Sequence, residues 1–432
     1  MRIAVIGTGI AGLGAAYALS RAGHHVELFE REPRAGGHTH TVTVDDGGRA
    51  LAIDTGFIVH NERNYPNLVR LFAELGVATQ PSEMSFSVSC ARCGIEWAGK
   101  RPFAQPRNAL RPSFVRMVRD VVRFLREAPR DLEAGTVDGL TLAAYVAERR
   151  YSRPFLDHFL VPLTAAIWST APDRALDFPA AYALRFFENH GMLGFRRYPW
   201  RTVVGGSSTY VEALLDRIGR DRLQLGAPIA TIRRDADGVE LTVAGGGGAG
   251  GPGGGGGPGG AGGGGLRFDG VVVAVHGADA LPLLADPSAD ERRILGAFGT
   301  THNETVLHTD PRILPRAQAA RAAWNYHLDD CRSPAGRPTL TYSMNRLQRL
   351  DSPREYQVTL NRGAEIDPAH IIRRIAVEHP LTTFASLAAQ EDLPRLQGVR
   401  RTAFAGAWQG FGFHEDGLAS GLRAAEAFGA RW

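Results

Sequence analysis

Gly7, Gly9 and Gly12 stand at the spacing that lets a backbone turn come close to a pyrophosphate. Gly7 suits the tight turn, Gly9 leaves room for phosphate oxygens, and Gly12 lets a following helix pack on the preceding strand. Ile10 and Ala11 open that helix, whose unpaired N–H groups and positive dipole end attract an anion. Glu30 lies roughly twenty residues further on, where a carboxylate can grip the hydroxyl pair of a ribose. The chemistry implied is the binding of an adenine dinucleotide.

The elements needed to position these residues can be read around them. Arg2-Ile3-Ala4-Val5-Ile6 is an apolar run suited to a buried strand. A helix is expected from Leu13 to Arg21, and His25-Val26-Glu27-Leu28-Phe29 forms a second strand ending on Glu30. Strand, turn, helix, strand and acid fall in register, which predicts a Rossmann-type α/β unit. The cradle alone does not separate NAD from FAD.

The continuation does. Arg31-Glu32-Pro33-Arg34-Ala35-Gly36-Gly37-His38-Thr39 sets a glycine pair just past the acid, and Ile53-Asp54-Thr55-Gly56-Phe57 follows. Near the end come Phe404-Ala405-Gly406-Ala407-Trp408 and Gly412-Phe413-His414-Glu415-Asp416-Gly417. In this order the pieces resemble the flavin-containing amine oxidase superfamily, which includes monoamine oxidases, protoporphyrinogen oxidases and phytoene desaturases. Met84-Ser85-Phe86-Ser87-Val88-Ser89 and Ala166-Ile167-Trp168-Ser169-Thr170 are similar to segments of a bacterial branch of FAD-dependent oxidoreductases. The resemblance implies FAD, a Rossmann-type FAD-binding domain and an inserted α+β substrate domain. It carries the cofactor contacts onto Gly7, Gly9, Ile10, Ala11, Gly12, Glu30, Arg31, Arg34, Gly36, Gly37, His38, Thr39, Gly56 and Phe57. Further contacts follow at Ile229, through its backbone to the adenine, at Ala274, and at Gly406, Ala407, Gly412, Phe413, His414 and Gly417.

At 432 residues the chain is long enough for two cores. The FAD-binding domain is expected to be discontinuous, formed by 1–80, 200–280 and 395–432, with the substrate domain at 81–199 and 281–394. The tract 245–265, almost entirely glycine, cannot bury enough surface to order itself and is expected to be a disordered loop. Strand-like runs flank it, so it reads as an expanded turn. The first strand begins at residue 2 and no apolar run approaches membrane-spanning length, so the expected location is cytoplasmic. A net charge of +4 gives no reason to expect nucleic acid.

Lys100 is the only lysine. Many amine-oxidising members of the superfamily use a lysine to fix a water against the flavin, and only Lys100 could do so here; a solvated side chain is the preferred reading. Cys90 and Cys93 form a CxxC, Cys331 stands apart, and no second pair is present, so the thiols are read as a solvated hairpin tip and no metal is expected.

Departures from the amine-oxidase pattern bear on the substrate. Phe413 replaces a tyrosine of the aromatic cage, and Ala407 and Trp408 replace a Thr-Glu pair. Phe413 and Trp408 are expected to form an apolar wall beside the flavin, and phenylalanine holds a cation less well than tyrosine. His414 could handle a proton, although contact through its backbone alone is the simpler reading. His302, with Asn303 and Glu304, is a weaker candidate. Residues 113–127 read as a helix capped by Ser113, with Arg116, Arg119, Arg123 and Arg126 on one face. It could lie on an anionic membrane surface, making the protein peripheral, or be an ordinary solvated helix. No second dinucleotide cradle is present, so oxygen, a quinone or a protein is the expected electron acceptor. The leading expectation is flavin hydride transfer in lipid metabolism: desaturation, oxidation or redox-assisted isomerisation of an unsaturated acyl chain or polyene. The alternatives are an amine or amino-acid oxidase, and a flavoprotein whose FAD is structural or signals redox state.

Overall fold

The computed structural model describes residues 1–194, 198–244, 265–333 and 336–432. The chain divides into two compact units, each assembled from separated segments: 1–37, 210–299 and 386–432 in the first, 38–209 and 300–385 in the second.

The first unit is built on a five-stranded parallel sheet. Its order is Leu223–Gln224, His25–Phe29, Arg2–Ile6, Gly270–Val273 and Thr402–Phe404. Ile3 to Ile6 are buried because both faces of the sheet are covered, which is why the run is apolar without alternation. Ala4 and Ile6 lie in the core shared with an antiparallel layer, and Ile3 and Val5 are buried on the opposite face. The helix Ile10–Arg21 follows, and Gly23, at φ +85°, turns the chain back into the second strand. A second layer of antiparallel strands, Ile229–Arg234, Val239–Val243 and Leu266–Phe268, shares its core with the parallel sheet. Of the glycine tract, 245–264 lie outside the described residues, but the strands on either side pair antiparallel, with Leu241 opposite Leu266.

The second unit holds a seven-stranded sheet in the order Ile371–Leu381, Gly299–His308, Gln357–Leu360, Thr339–Ser343, Trp324–Leu328, Phe86–Cys90 and Glu96–Ala98. A parallel pair in it, Phe86–Cys90 beside Trp324–Leu328, sets Cys90 opposite Leu328. Helices Pro112–Glu133, Leu142–Glu148, Val161–Trp168 and Ala180–Asn189 belong to the same unit.

Several expected boundaries shift: the middle segment of the first unit spans 210–299, not 200–280, and its last segment begins at 386, not 395. The first segment of the first unit ends at Gly37, not near 80, because 41–60 bond to segments of the second unit. Val59–His60 pairs with Trp200–Val203, and Asp54 accepts from Ser207 and Gln348. The basic helix starts one residue earlier than expected, at Pro112, and runs on to Glu133. Its first turn has no side-chain cap; Pro112 sits at its first position, where a missing N–H costs nothing.

Candidate functional site

The dinucleotide cradle forms as a set of close backbone approaches within the first unit. A Cβ on Gly7, at φ +96°, would lie 2.4 Å from the Ala274 carbonyl oxygen. One on Gly12 would lie 1.9 Å from the Gly7 oxygen and 3.2 Å from the Ala274 Cβ. Gly9 differs: a Cβ there would meet no protein atom within 4 Å. The helix Ile10–Arg21 starts at this point with no side-chain cap and no acid in its first turn. Its N–H groups and dipole are therefore available to an anion. Gly36 donates to the Thr8 carbonyl at 3.0 Å, and Gly37 comes so near that its Cβ would be 3.0 Å from the Gly9 Cα.

Glu30 is buried, and Oε2 accepts from the Thr8 N–H at 2.9 Å and the Thr8 hydroxyl at 2.6 Å. Oε1 accepts from the Glu32 N–H at 3.0 Å, which leaves lone pairs for a ribose hydroxyl. Arg34 donates to the Gly37 carbonyl at 2.8 Å, and burial lowers its guanidinium. Arg31 is an exposed ion-pair partner of Asp279 at 3.3 Å. At Ile229 the ladder slips: Ile229 faces Val243 but Thr231 faces Thr242, so Ala230 stands out of register. Such a bulge frees main-chain polar groups, as an adenine contact through the backbone requires.

The C-terminal motif behaves differently from expectation at two residues. Trp408 is 4 % exposed, donates from Nε1 to the Val275 carbonyl at 3.0 Å, and its ring centre is 4.5 Å from that of Phe298. It is a core residue of the first unit, not a wall, because its one polar atom finds a partner inside. Gly417 packs helix on helix: its Cβ would be 2.8 Å from Ile10 Cγ2, and one on Gly421 would be 2.1 Å from the Ala11 oxygen. These glycines let the helix His414–Glu426 lie close against the cradle helix. Gly406 is buried, and its N–H donates to Ser420 Oγ at 2.8 Å.

The motif does bring Phe413 and His414 together at the start of the last helix, with Ala407 and Gly412 partly exposed nearby in sequence. His414 Nε2 and the hydroxyl of the fully buried Tyr210 are 2.7 Å apart. Asp416 accepts from the Phe413 N–H at 2.9 Å and from the Phe411 N–H, which fixes the turn before the helix. Burial pushes its carboxyl up to about 6. Neither Tyr210 nor Asp416 was a candidate from sequence. The S/T-x-x-D/E type of capping signal could have pointed to Asp416, but Phe413 occupies the cap position.

The remaining candidates belong to the second unit. His38 Nε2 is 2.8 Å from the Glu378 carbonyl oxygen, and its ring is 5.6 Å from that of His379. Asn303 is buried, with its Nδ2 3.0 Å from His379 Nδ1 and its Oδ1 accepting from Asn361 at 2.7 Å. His302, by contrast, is exposed and paired with Glu378 at 3.1 Å, because its side chain points to the solvated side of the strand. Thr39 is buried, and Gly56 allows the chain to pass His38: a Cβ there would be 2.0 Å from the His38 oxygen, to which the Phe57 N–H donates at 3.0 Å. Lys100 is exposed and paired with Glu83 at 3.3 Å.

The thiols are not a solvated tip. Cys90 and Cys331 are buried, and Cys93 is partly so. The predicted hairpin forms, with Ser89 opposite Glu96, but loops from two other segments cover its end.

Comparison with known proteins decides what the cradle belongs to. The family model described as flavin containing amine oxidoreductase matches residues 10–428. The chain belongs to this family. FAD is its cofactor and oxidoreduction its class of chemistry. The glycine approaches, the uncapped helix start and the buried Glu30 fit FAD, which the Gly7–Gly12 turn and Glu30 would hold by its pyrophosphate and ribose. The fold of putrescine oxidase is similar to that of this chain over 100 % of both chains, at 15 % identity and TM-score 0.70. A fatty acid isomerase from P. acnes is similar over 98 % of this chain and 97 % of its own, at 16 % identity and TM-score 0.65. Carotenoid phi-ring synthase from Chlorobaculum tepidum is 24 % identical over 246 residues, 53 % of this chain and 36 % of that one. The chain spans about a third or less of the length of the curated relatives it matches.

Proposed function

We propose that this flavoenzyme acts on an apolar, unsaturated substrate, a fatty acyl chain or polyene, by desaturation, oxidation or redox-assisted isomerisation. The observation that carries this reading is the placement of Lys100: the chain's only lysine is an exposed partner of Glu83 and so is not held for an amine-oxidase role. Phe413 in place of a cage tyrosine supports it, since phenylalanine holds a cation less well than tyrosine and leaves an apolar ring there. The fold likeness to a fatty acid isomerase and the partial match to a carotenoid-ring enzyme point the same way.

Bound FAD supplies a two-electron acceptor for hydride, and the protein supplies position and electrostatics. The cradle residues orient it by backbone contact. His414 Nε2, paired with the Tyr210 hydroxyl, is the group able to hold or pass a proton at the last helix. In this reading the first unit binds FAD and the second recognises substrate, with oxygen, a quinone or a protein taking the electrons. Leu110 and Val115 are exposed beside the outward Arg116, Arg119 and Arg126, a pattern suited to collecting lipid from an anionic surface. Among the described residues no helix is long and apolar enough to cross a membrane.

Anaerobic mixing of the purified holoprotein with an unsaturated fatty acid, a carotenoid and a set of amines tests the reading. Bleaching of the flavin or a shifted double bond is expected with the lipid substrates. Rapid bleaching by putrescine or an amino acid, with none by lipid, would favour the amine-oxidase reading that the family relationship itself suggests.

A further inference from the structure

Cys90, Cys93, Cys331 and His158 each offer one ligand atom, and the four atoms lie within 4.8 Å of one another. We propose that they bind a structural zinc ion. Three independent features of the fold bring them together.

The first is the turn. Cys90 closes a strand, and Cys90-Ala91-Arg92-Cys93-Gly94 doubles back, with Gly94 at φ +66°. Its N–H groups point at sulfur: that of Cys93 donates to Cys90 Sγ and that of Ile95 to Cys93 Sγ. Amide donors on sulfur stabilise thiolates, the form a metal needs. The second is strand register. Leu328 lies opposite Cys90 in a parallel pair, so Cys331, three residues on, comes level with Cys93. The Ala91 N–H to Leu328 carbonyl bond at 2.8 Å and the Arg92 N–H to Asp329 carbonyl bond at 3.1 Å continue the pairing beyond the strands. The third is a wide, π-type turn at Leu156–Leu160 between two helical pieces, which turns His158 toward the thiols. Such turns concentrate at functional positions. His158 Nε2 is 3.3 Å from Cys93 Sγ, and Trp97 Nε1 anchors the turn by donating to the His158 carbonyl at 3.1 Å.

Chemistry and size favour zinc. Three sulfurs and one imidazole nitrogen are a recurrent structural zinc set, with Zn–S near 2.3 Å and Zn–N near 2.0 Å. A tetrahedron of that size places sulfurs about 3.8 Å apart, so the group needs a contraction of about an ångström at most. Four protein ligands leave no open position, which makes the ion a clamp on the turn, the Cys331 loop and the His158 segment. Binding releases thiol protons and carries folding free energy with it.

The test uses the full-length holoprotein, grown with added zinc and purified without chelator, with metal and flavin measured on the same sample. One zinc per chain is expected. Cobalt(II) added to metal-stripped, reduced protein should give a thiolate-to-metal charge-transfer band and tetrahedral visible bands. Cys331→Ser and His158→Ala should each weaken metal retention by more than the about 10–100-fold that loss of an outer partner costs, with flavin content unchanged. Wild-type protein that carries no zinc and develops no cobalt band would overturn the proposal. So would fewer than three free thiols in denaturant without reductant, since a disulfide would then hold two of the ligands.

Discussion

A single methyl group separates two kinds of glycine in the cradle. Gly12 has no space for a Cβ, whereas Gly9 has nothing near it in the protein. Gly9→Ala should therefore fold with stability within about 1 kcal/mol of wild type yet retain little FAD. Gly12→Ala should lose both stability and FAD, as measured by denaturation and flavin absorbance on the same preparations. Equal flavin content in Gly9→Ala and wild type would remove Gly9 from the cofactor contact. A second residue-scale effect concerns Asp54, fully buried and bonded to Thr41, Ser207 and Gln348, where burial pushes the carboxyl up to about 6. The unfolded carboxyl titrates near 3.9. Between those values the folded chain holds the extra proton, so this group's contribution falls as pH rises through the window and is level above it. The span is worth up to about 3 kcal/mol. The unfolding free energy of Asp54→Asn relative to wild type should rise by that order between about pH 4 and pH 7; a flat difference would contradict the assignment. The glycine spacing exposed the first of these effects in sequence. The second was hidden because Asp54 acquires its environment from residues 153 and 294 positions away.

At the level of elements, a buried ion pair ties the antiparallel layer of the first unit to the helix Ala289–Leu295. The Arg234 side chain is fully buried and bonds both oxygens of Glu291, with Asp286 3.1 Å away. Burial would raise the Glu291 carboxyl, but Arg234 and Ser288 together hold it below its usual range. Arg234→Ala strands that carboxylate and should cost about 3–5 kcal/mol, while Arg234→Met with Glu291→Leu should recover much of it. Urea titrations of the three proteins decide the matter. The basic helix Pro112–Glu133 shows what periodicity misses. Arg123 shares its spacing with Arg116, Arg119 and Arg126, yet it bonds Asp120 and Glu127 and lies 4.1 Å above the Tyr151 ring. The other three are exposed, Arg119 with Asp120 3.8 Å away, so Arg116, Arg119 and Arg126→Glu should abolish flotation with anionic vesicles. Identical flotation of variant and wild type would end the membrane reading.

At the scale of the whole molecule, chain order and unit order differ. The glycine tract joins two strands of the same unit, so it does not connect separate bodies. Replacing 246–264 by a four-residue turn should leave flavin content unchanged and raise stability slightly, by about 1 kcal/mol, because loop closure becomes less costly. A large fall in melting temperature would mean the tract contributes contacts. The expected discontinuous organisation has the same logic: parallel strands separated by hundreds of residues must be brought side by side, as Arg2–Ile6 and Gly270–Val273 are.

What could be read from the amino-acid order alone was the FAD cradle and with it the Rossmann sheet and the family resemblance. Those signals are local: turn, helix start and acid lie within one contiguous stretch, where steric rules act between near neighbours. Tertiary structure alone decided that Trp408 is core, that Arg123 is committed to neighbours, and that three thiols and an imidazole converge. Each depends on strand register or packing between residues up to 241 positions apart, such as Cys90 and Cys331. No short-range pattern encodes such a meeting, because side-chain burial is a property of the assembled layers.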